Sequence, residues 1–335
     1  MMKIDKRIIT MLLLFCTIGF VNCNNEEENV INYENSIEGL TADNFPVMDS
    51  STSTHPLLKL LGYKLMGIRY KWEVSFMSGI EKYITCDSEY YYGTNSTATN
   101  AARQRLEQIE AKMKKSTTHG SFVNLIDDKV ELIIASRAIS RDEKQYAKEK
   151  GTGIIEKPVG IDGFVFIKNK ENPVKSLTCE QIRSIYSGKI TNWKEVGGND
   201  VAITPYMRNR NSGSQEKMET LVMKGEPMMD APELVGGGMT SPFYSLWENV
   251  NGMAYTPYYY CTAMIDDPRI KMFDVEGVQP DKTTIASRQY PYVSEIYAAV
   301  RADVDKSSMS WKIFEFLTSG AANAIIEESG YVKYY

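Results

Sequence analysis

Apolar positions along the chain follow two rhythms. The runs VELIIA (Val130–Ala135) and IIEKPVGIDGFVFIKN (Ile154–Asn169) are long or dense enough to be buried strands, and VAITPY (Val201–Tyr206) alternates as a short third. Helical spacing appears between and around them. Leu57, Leu58, Leu61 and Leu65 form one apolar face behind Pro56, a residue favoured at the first helical position. Phe122, Leu125 and Ile126 stand at i, i+3 and i+4, and Met218, Leu221 and Val222 share a face that Gly225 and Pro227 close. The charged stretch Arg141–Gly151 and the stretch Ser176–Gly188 add two more helices. Strand, loop and helix thus recur, which predicts an α/β fold with parallel sheets and ligand loops beyond the carboxyl ends of the strands.

Three of the helix starts are unusually rich in hydroxyls: Ser50 to His55, Thr117 to Ser121, and Arg208 to Gln215. Each fits an ordinary N-cap, since Ser and Thr are the usual capping residues, and Ser212 with Gln215 fits a capping box. The third loop differs by carrying Arg208 and Arg210. A cap alone needs no cation at the positive end of a helix dipole. Guanidinium groups, hydroxyls and free backbone N–H groups at a helix start are instead the parts of an anion site.

A chain of 335 residues, 43% of them apolar, has room for two domains. The net charge of −5 and the lack of a basic stripe argue against nucleic acid as partner. With His55 and His119 the only histidines and no HExxH, CxxC, P-loop or nucleophile elbow, the sequence points to no catalytic residue, metal or cofactor. Lys3, Lys6 and Arg7 precede the apolar run IITMLLLFCTIGFV, which reads as a secretory signal over residues 1–22. Cys23 follows at once, with Asn24 to Glu28 behind it and a polar linker over 23–44. Cys16 lies in the apolar run, and Cys86, Cys179 and Cys261 allow at most one disulfide.

The segment from Asn172-Pro173 through Leu177-Thr178 and SIYSGKITNWKEVGG (Ser184–Gly198), followed by the Arg208 to Gln215 loop, resembles the phosphate-binding protein of the phosphate-specific ABC transporter. STSTHP (51–56), NLIDDKVELIIASR (124–137) and the closing SGYVKYY (329–335) are similar to superfamily members found as lipoproteins in Bacteroides-like bacteria. The resemblance spans Val47 to Tyr335 and implies a type II periplasmic binding protein fold. In that fold two α/β lobes, here 45–156 with 275–335 and 157–274, are joined by hinge strands and close on ligand. Carried over, the ligand groups fall on Ser53, Thr54 and His55, on Thr118, and on Arg208, Ser212, Gly213 and Ser214. Arg137 occupies the place of an aspartate that accepts the proton of phosphate, and Arg210 a place where an acid is common. Arg137 therefore reads either as a ligand group that changes anion selection or as a surface arginine paired with Asp142 or Glu143.

Cys23 resembles the lipidated first residue of a bacterial lipoprotein, although Asn22 departs from the small residue common before it. The resemblance thus implies an exported, lipid-anchored solute-binding protein in the periplasm or at the outer-membrane surface of a Gram-negative bacterium. Its ligand is phosphate or a related oxyanion, for uptake or sensing through an ABC permease. Two alternatives remain. One is a ligand-free, adhesin-like lipoprotein with TPYYYC (256–261) and GGGMTSPFYSLW (236–247) as contact surface. The other is a phosphoester hydrolase using His55 and His119.

Overall fold

The computed structural model describes residues 33–335 apart from 94–95, 209–211, 231–232, 235–237 and 266. The signal segment, Cys23 and Arg210 lie outside the described residues. Nine strands form one sheet. Its backbone is the order Met113–Ser116, Met48–Ser51, Leu132–Ala135, Val293–Arg301, Ile154–Asn169, Gly252–Pro257, Thr204–Pro205. Ile270–Met272 and Val332–Lys333 pair with Ile154–Asn169 as well.

The expected parallel arrangement holds only at the two ends of that order. Met48–Ser51 pairs parallel with both Met113–Ser116 and Leu132–Ala135, and Gly252–Pro257 pairs parallel with Thr204–Pro205. Between them Val293–Arg301 runs antiparallel to Leu132–Ala135 and to Ile154–Asn169, which runs antiparallel to Gly252–Pro257. The sheet is therefore mixed. The physical reason is the length of Ile154–Asn169, 16 residues that serve both ends of the molecule. Its first part pairs with Val293–Arg301 up to Gly163, and its last part with Gly252–Pro257 from Phe164 onward.

Burial explains why these segments take the forms they do. Leu132–Ala135 is buried on both faces: Leu132 and Ile134 join the main core, while Ile133 and Ala135 pack with Phe122 and Leu125 of the helix Thr118–Ile126. The helix His55–Leu65 buries Leu57, Leu58, Leu61 and Leu65, each worth about 1.5–3 kcal/mol relative to exposure. These helices pack on the strands and bring their N-terminal ends to the strand ends. The helix foreseen after Gln215 starts earlier and changes pitch, running as α-helix over Gly213–Lys217 and as π-helix over Met218–Met223. Lys224 and Gly225 then end it at φ 50° and 91°. Strand character in Val201–Tyr206 is limited to Thr204–Pro205. A hairpin of Tyr70–Val74 and Lys82–Cys86 adds an element that the periodicity reading passed over. Cys86, Cys179 and Cys261 are free thiols.

Candidate functional site

Three hydroxyl-bearing loops and the end of one strand converge on a cavity of about 190 Å³. That is several times the ~30 Å³ share of one liquid water, which suits a small anion. Thr52 and Ser53 come from the loop before His55–Leu65, Thr117 and Thr118 from the start of Thr118–Ile126, and Ser136 from the end of Leu132–Ala135. Arg208, Ser212, Gly213, Ser214 and Lys217 form the opposite wall, with Gly238, Met239 and Pro257 at the margin. Among the described residues that line it, none carries a carboxylate.

Close approach of the loops depends on Gly213. A Cβ there would stand 3.3 Å from Thr118 Oγ1 and 3.5 Å from Ser136 Oγ, two hydroxyls that lie 3.1 Å apart. Thr117 caps its helix by accepting from Gly120 N–H at 3.0 Å, and Ser212 accepts from Ser214 N–H at 3.2 Å. Gln215 does not complete the foreseen capping box. Its Oε1 accepts from the backbone N–H of Arg208 at 3.2 Å and from the Tyr255 hydroxyl, so it fixes the arginine's backbone instead.

Arg208 is 6% exposed. Nη2 donates to Gly238 O at 2.8 Å, but buried Nε and Nη1 have no partner among the described residues. Removal from water lowers the pKa of this guanidinium, though arginine stays charged. A buried cation with idle donors facing a hydroxyl-lined cavity is chemically incomplete and attracts an anion.

Of the nine foreseen ligand residues, Ser53, Thr118, Arg208, Ser212, Gly213 and Ser214 line this one cavity. The other three stand apart from it. Thr54 is fully buried and its hydroxyl donates to Ile134 O at 2.5 Å, tying the first loop to the neighbouring strand. His55 faces a second cavity of about 120 Å³ with Lys59 and Lys115, and its Nδ1 lies 3.0 Å from Ser50 Oγ. Burial, then Lys115 and Lys59, lower its pKa to about 4, so the ring is neutral. Arg137 turns away to a bidentate pair with Glu143 and a contact with Glu216. His119 is close to Glu143 rather than to the cavity, at 3.1 Å.

Sequence reasoning missed Thr52, Thr117, Ser136 and Lys217. Ser136 had a usable signal, because it ends a buried strand where ligand loops gather. Lys217 had none, since a lysine between Glu216 and Met218 reads as a solvent-facing position. The tyrosines of TPYYYC are buried, as is Phe243 of the glycine-rich loop. They build core instead of an adhesive face.

A family model described as a PBP superfamily domain matches residues 78–306. The phosphate-binding protein PstS of Staphylococcus aureus is 28% identical over 220 residues, which cover 64% of this chain and 67% of that protein. A phosphate-bound structure assigned to the substrate-binding protein of a phosphate ABC transporter from Clostridium perfringens superposes with a TM-score of 0.60 at 23% identity. It covers 86% of this chain and 99% of that one. An ABC-type phosphate transport receptor from Vibrio cholerae gives 0.59 at 21%, over 85% and 99%. The mixed sheet shared by two sets of flanking helices is thus the two-lobed type II arrangement. By its fold, its matched domain and the place of its hydroxyl-lined loops, the chain belongs to the PBP superfamily of periplasmic-type binding proteins.

Proposed function

We propose that the cavity binds phosphate or a closely related tetrahedral oxyanion, and that the protein is a solute-binding component serving ABC-type uptake or sensing. The observation that carries this is Arg208: a desolvated guanidinium whose Nε and Nη1 lack partners among the described residues, and which lines a cavity of hydroxyls with no carboxylate among its described residues. The names of the Staphylococcus aureus, Clostridium perfringens and Vibrio cholerae relatives support phosphate in particular. Ser53, Thr118, Ser136, Ser212 and Ser214 would donate hydroxyl hydrogens, and the N-terminal N–H groups at Gly213 and Thr118 would add theirs. Thr54, His55 and Arg137 are positioning residues in this reading. It treats the chain as a binder and not an enzyme, because neither histidine lines the cavity.

Residues 45–156 with 275–335 form one proposed lobe and 157–274 the other, and closure brings Arg208 onto an anion held by the first lobe's hydroxyls. The apolar run ahead of Cys23 supports export and lipid anchoring at that cysteine, which holds the lobes near a membrane through buried methylenes. No described helix is long and apolar enough to cross a membrane. Calorimetry with sodium phosphate is the test. Truncating one partner of a desolvated charged contact costs on the order of 2–5 kcal/mol, so Arg208→Ala should weaken binding at least tenfold. Equal affinity in wild type and Arg208→Ala, or no binding by wild type, would overturn the assignment.

A further inference from the structure

Two lysines among the described residues are buried, Lys168 in the strand Ile154–Asn169 and Lys217 at the end of the helix Gly213–Lys217, and they are treated very differently. Lys168, 7% exposed, donates to Asn172 O at 2.6 Å and to Val174 O at 2.5 Å. Lys217, 6% exposed, makes no hydrogen bond or ion pair with any described residue, yet it lines the anion cavity. Lysine is almost never buried unless its ammonium is paired. Arg208 shares the wall with it.

Of the two acids acting on Lys217, Asp162, 1% exposed, acts more than Glu216, and it does not approach within ion-pair distance. Asp162 is already engaged, its Oδ1 accepting from Tyr259 N–H at 3.0 Å. Glu216 and Arg137 act on Lys217 more weakly and in opposite senses. A methionine or leucine would fill the same space at no electrostatic cost, as buried ion pairs replaced by apolar residues show. What justifies a lysine here is a partner that comes and goes.

We propose that Lys217 is a ligand residue, its ammonium donating to the bound anion beside Arg208, and that this second cation makes the cavity select tetrahedral oxyanions held as dianions. The proposal rests on the anion-binding reading above and extends it to a residue and a charge state. One arginine suffices for a monoanion. A second desolvated cation on the same wall is neutralised only by an anion that brings a second charge.

The test measures binding of sodium phosphate at pH 8 and of sodium sulfate by calorimetry, with unfolding of the ligand-free protein followed in parallel. Lys217→Met should weaken both anions at least tenfold, whereas Asp162→Asn should bind them as tightly as wild type or more tightly. The double variant Lys217→Met with Asp162→Asn removes both buried charges. It should keep the ligand-free melting temperature at or above the wild-type value while still losing at least tenfold in affinity. A purely structural lysine gives the reverse, a lower melting temperature with affinity intact, and overturns the proposal. If Lys217→Met does not fold, the double variant alone decides by the same criteria. Wild type binding neither anion would overturn both this proposal and the reading it rests on, whereas intact binding by the Lys217 variants overturns only this one.

Discussion

Arg137 Nε stands 2.7 Å from Glu216 Oε2, joining the turn after Leu132–Ala135 to the helix that opens with Gly213. The same guanidinium grips Glu143 with two bonds of 2.8 Å. Its two acidic partners are unequal, because the Glu143 side chain is fully buried and that of Glu216 is 34% exposed. Arg137→Met takes the only bidentate partner among the described residues from the buried Glu143 carboxylate, leaving it Ser140 N–H and His119, and should cost about 3 kcal/mol. Glu216→Gln should cost about 1 kcal/mol or less. Urea unfolding of the two variants checks this, and equal losses would show that Glu143 is not the partner that matters.

Gly213→Ala tests the closeness of the loops. The added methyl meets Thr118 Oγ1 at 3.3 Å, a tight contact, and Ser136 Oγ at 3.5 Å, an ordinary one. The expected result is a phosphate affinity at least fivefold weaker with ligand-free stability within about 1 kcal/mol of wild type, since the methyl at the start of the helix points into the cavity and displaces no core side chain. Unchanged affinity would mean that these loops do not need to touch in the bound state.

How much of this was legible in the sequence depends on what each feature demands of its neighbours. The face Leu57, Leu58, Leu61, Leu65 and the run Ile154–Asn169 were readable because burial imposes a period on the residues themselves. Ser53, Thr118 and Ser212 to Ser214 were readable because hydroxyls cluster where helix N–H groups need partners. Mixed strand direction was not, because the pattern of a buried strand is the same whichever way its neighbour runs. Arg137 and Lys217 exchanged apparent roles for a similar reason. An arginine next to the cavity-lining Ser136 turned to Glu143 and Glu216, while a lysine within a charged stretch faced inward, and only tertiary packing decides such orientations.

With no carboxylate among the described lining residues, the cavity offers phosphate a wall of donors. The P–O–H group of the monoanion meets no carboxylate among the described lining residues to accept its proton. Affinity for phosphate should therefore rise across its second ionisation, between about pH 6 and 8. Sulfate, a dianion throughout, is the control. It reports any change in the protein itself, including Asp162, whose burial pushes its pKa up to about 6. A ratio of phosphate to sulfate affinity that stays flat with pH would contradict the expectation.

His55 sets a separate pH dependence, that of stability. Burial lowers its pKa from 6.5 to about 4 in the folded protein, so the unfolded chain binds the extra proton between those values. The stabilising contribution is complete above about pH 6.5 and is lost as pH falls towards 4. Wild type should lose on the order of 3 kcal/mol more than His55→Gln between pH 7 and 4. Parallel losses in denaturant titrations at the two pH values would refute a buried neutral ring.

The long strand Ile154–Asn169 has a consequence for the concentration at which the proposed site would fill. Near its middle, Pro158 pairs with Tyr297 and Gly160 with Ile296, leaving Val159 as the extra residue of a bulge. Bulges bend a strand and increase its twist, so the bend here sets the angle at which the strand passes from its pairing with Val293–Arg301 to its pairing with Gly252–Pro257. Apparent affinity is the intrinsic grip of the cavity scaled by the fraction of molecules already in the competent geometry. Changes at Pro158 or Gly160 should therefore shift the affinity measured for phosphate, although neither residue lines the cavity.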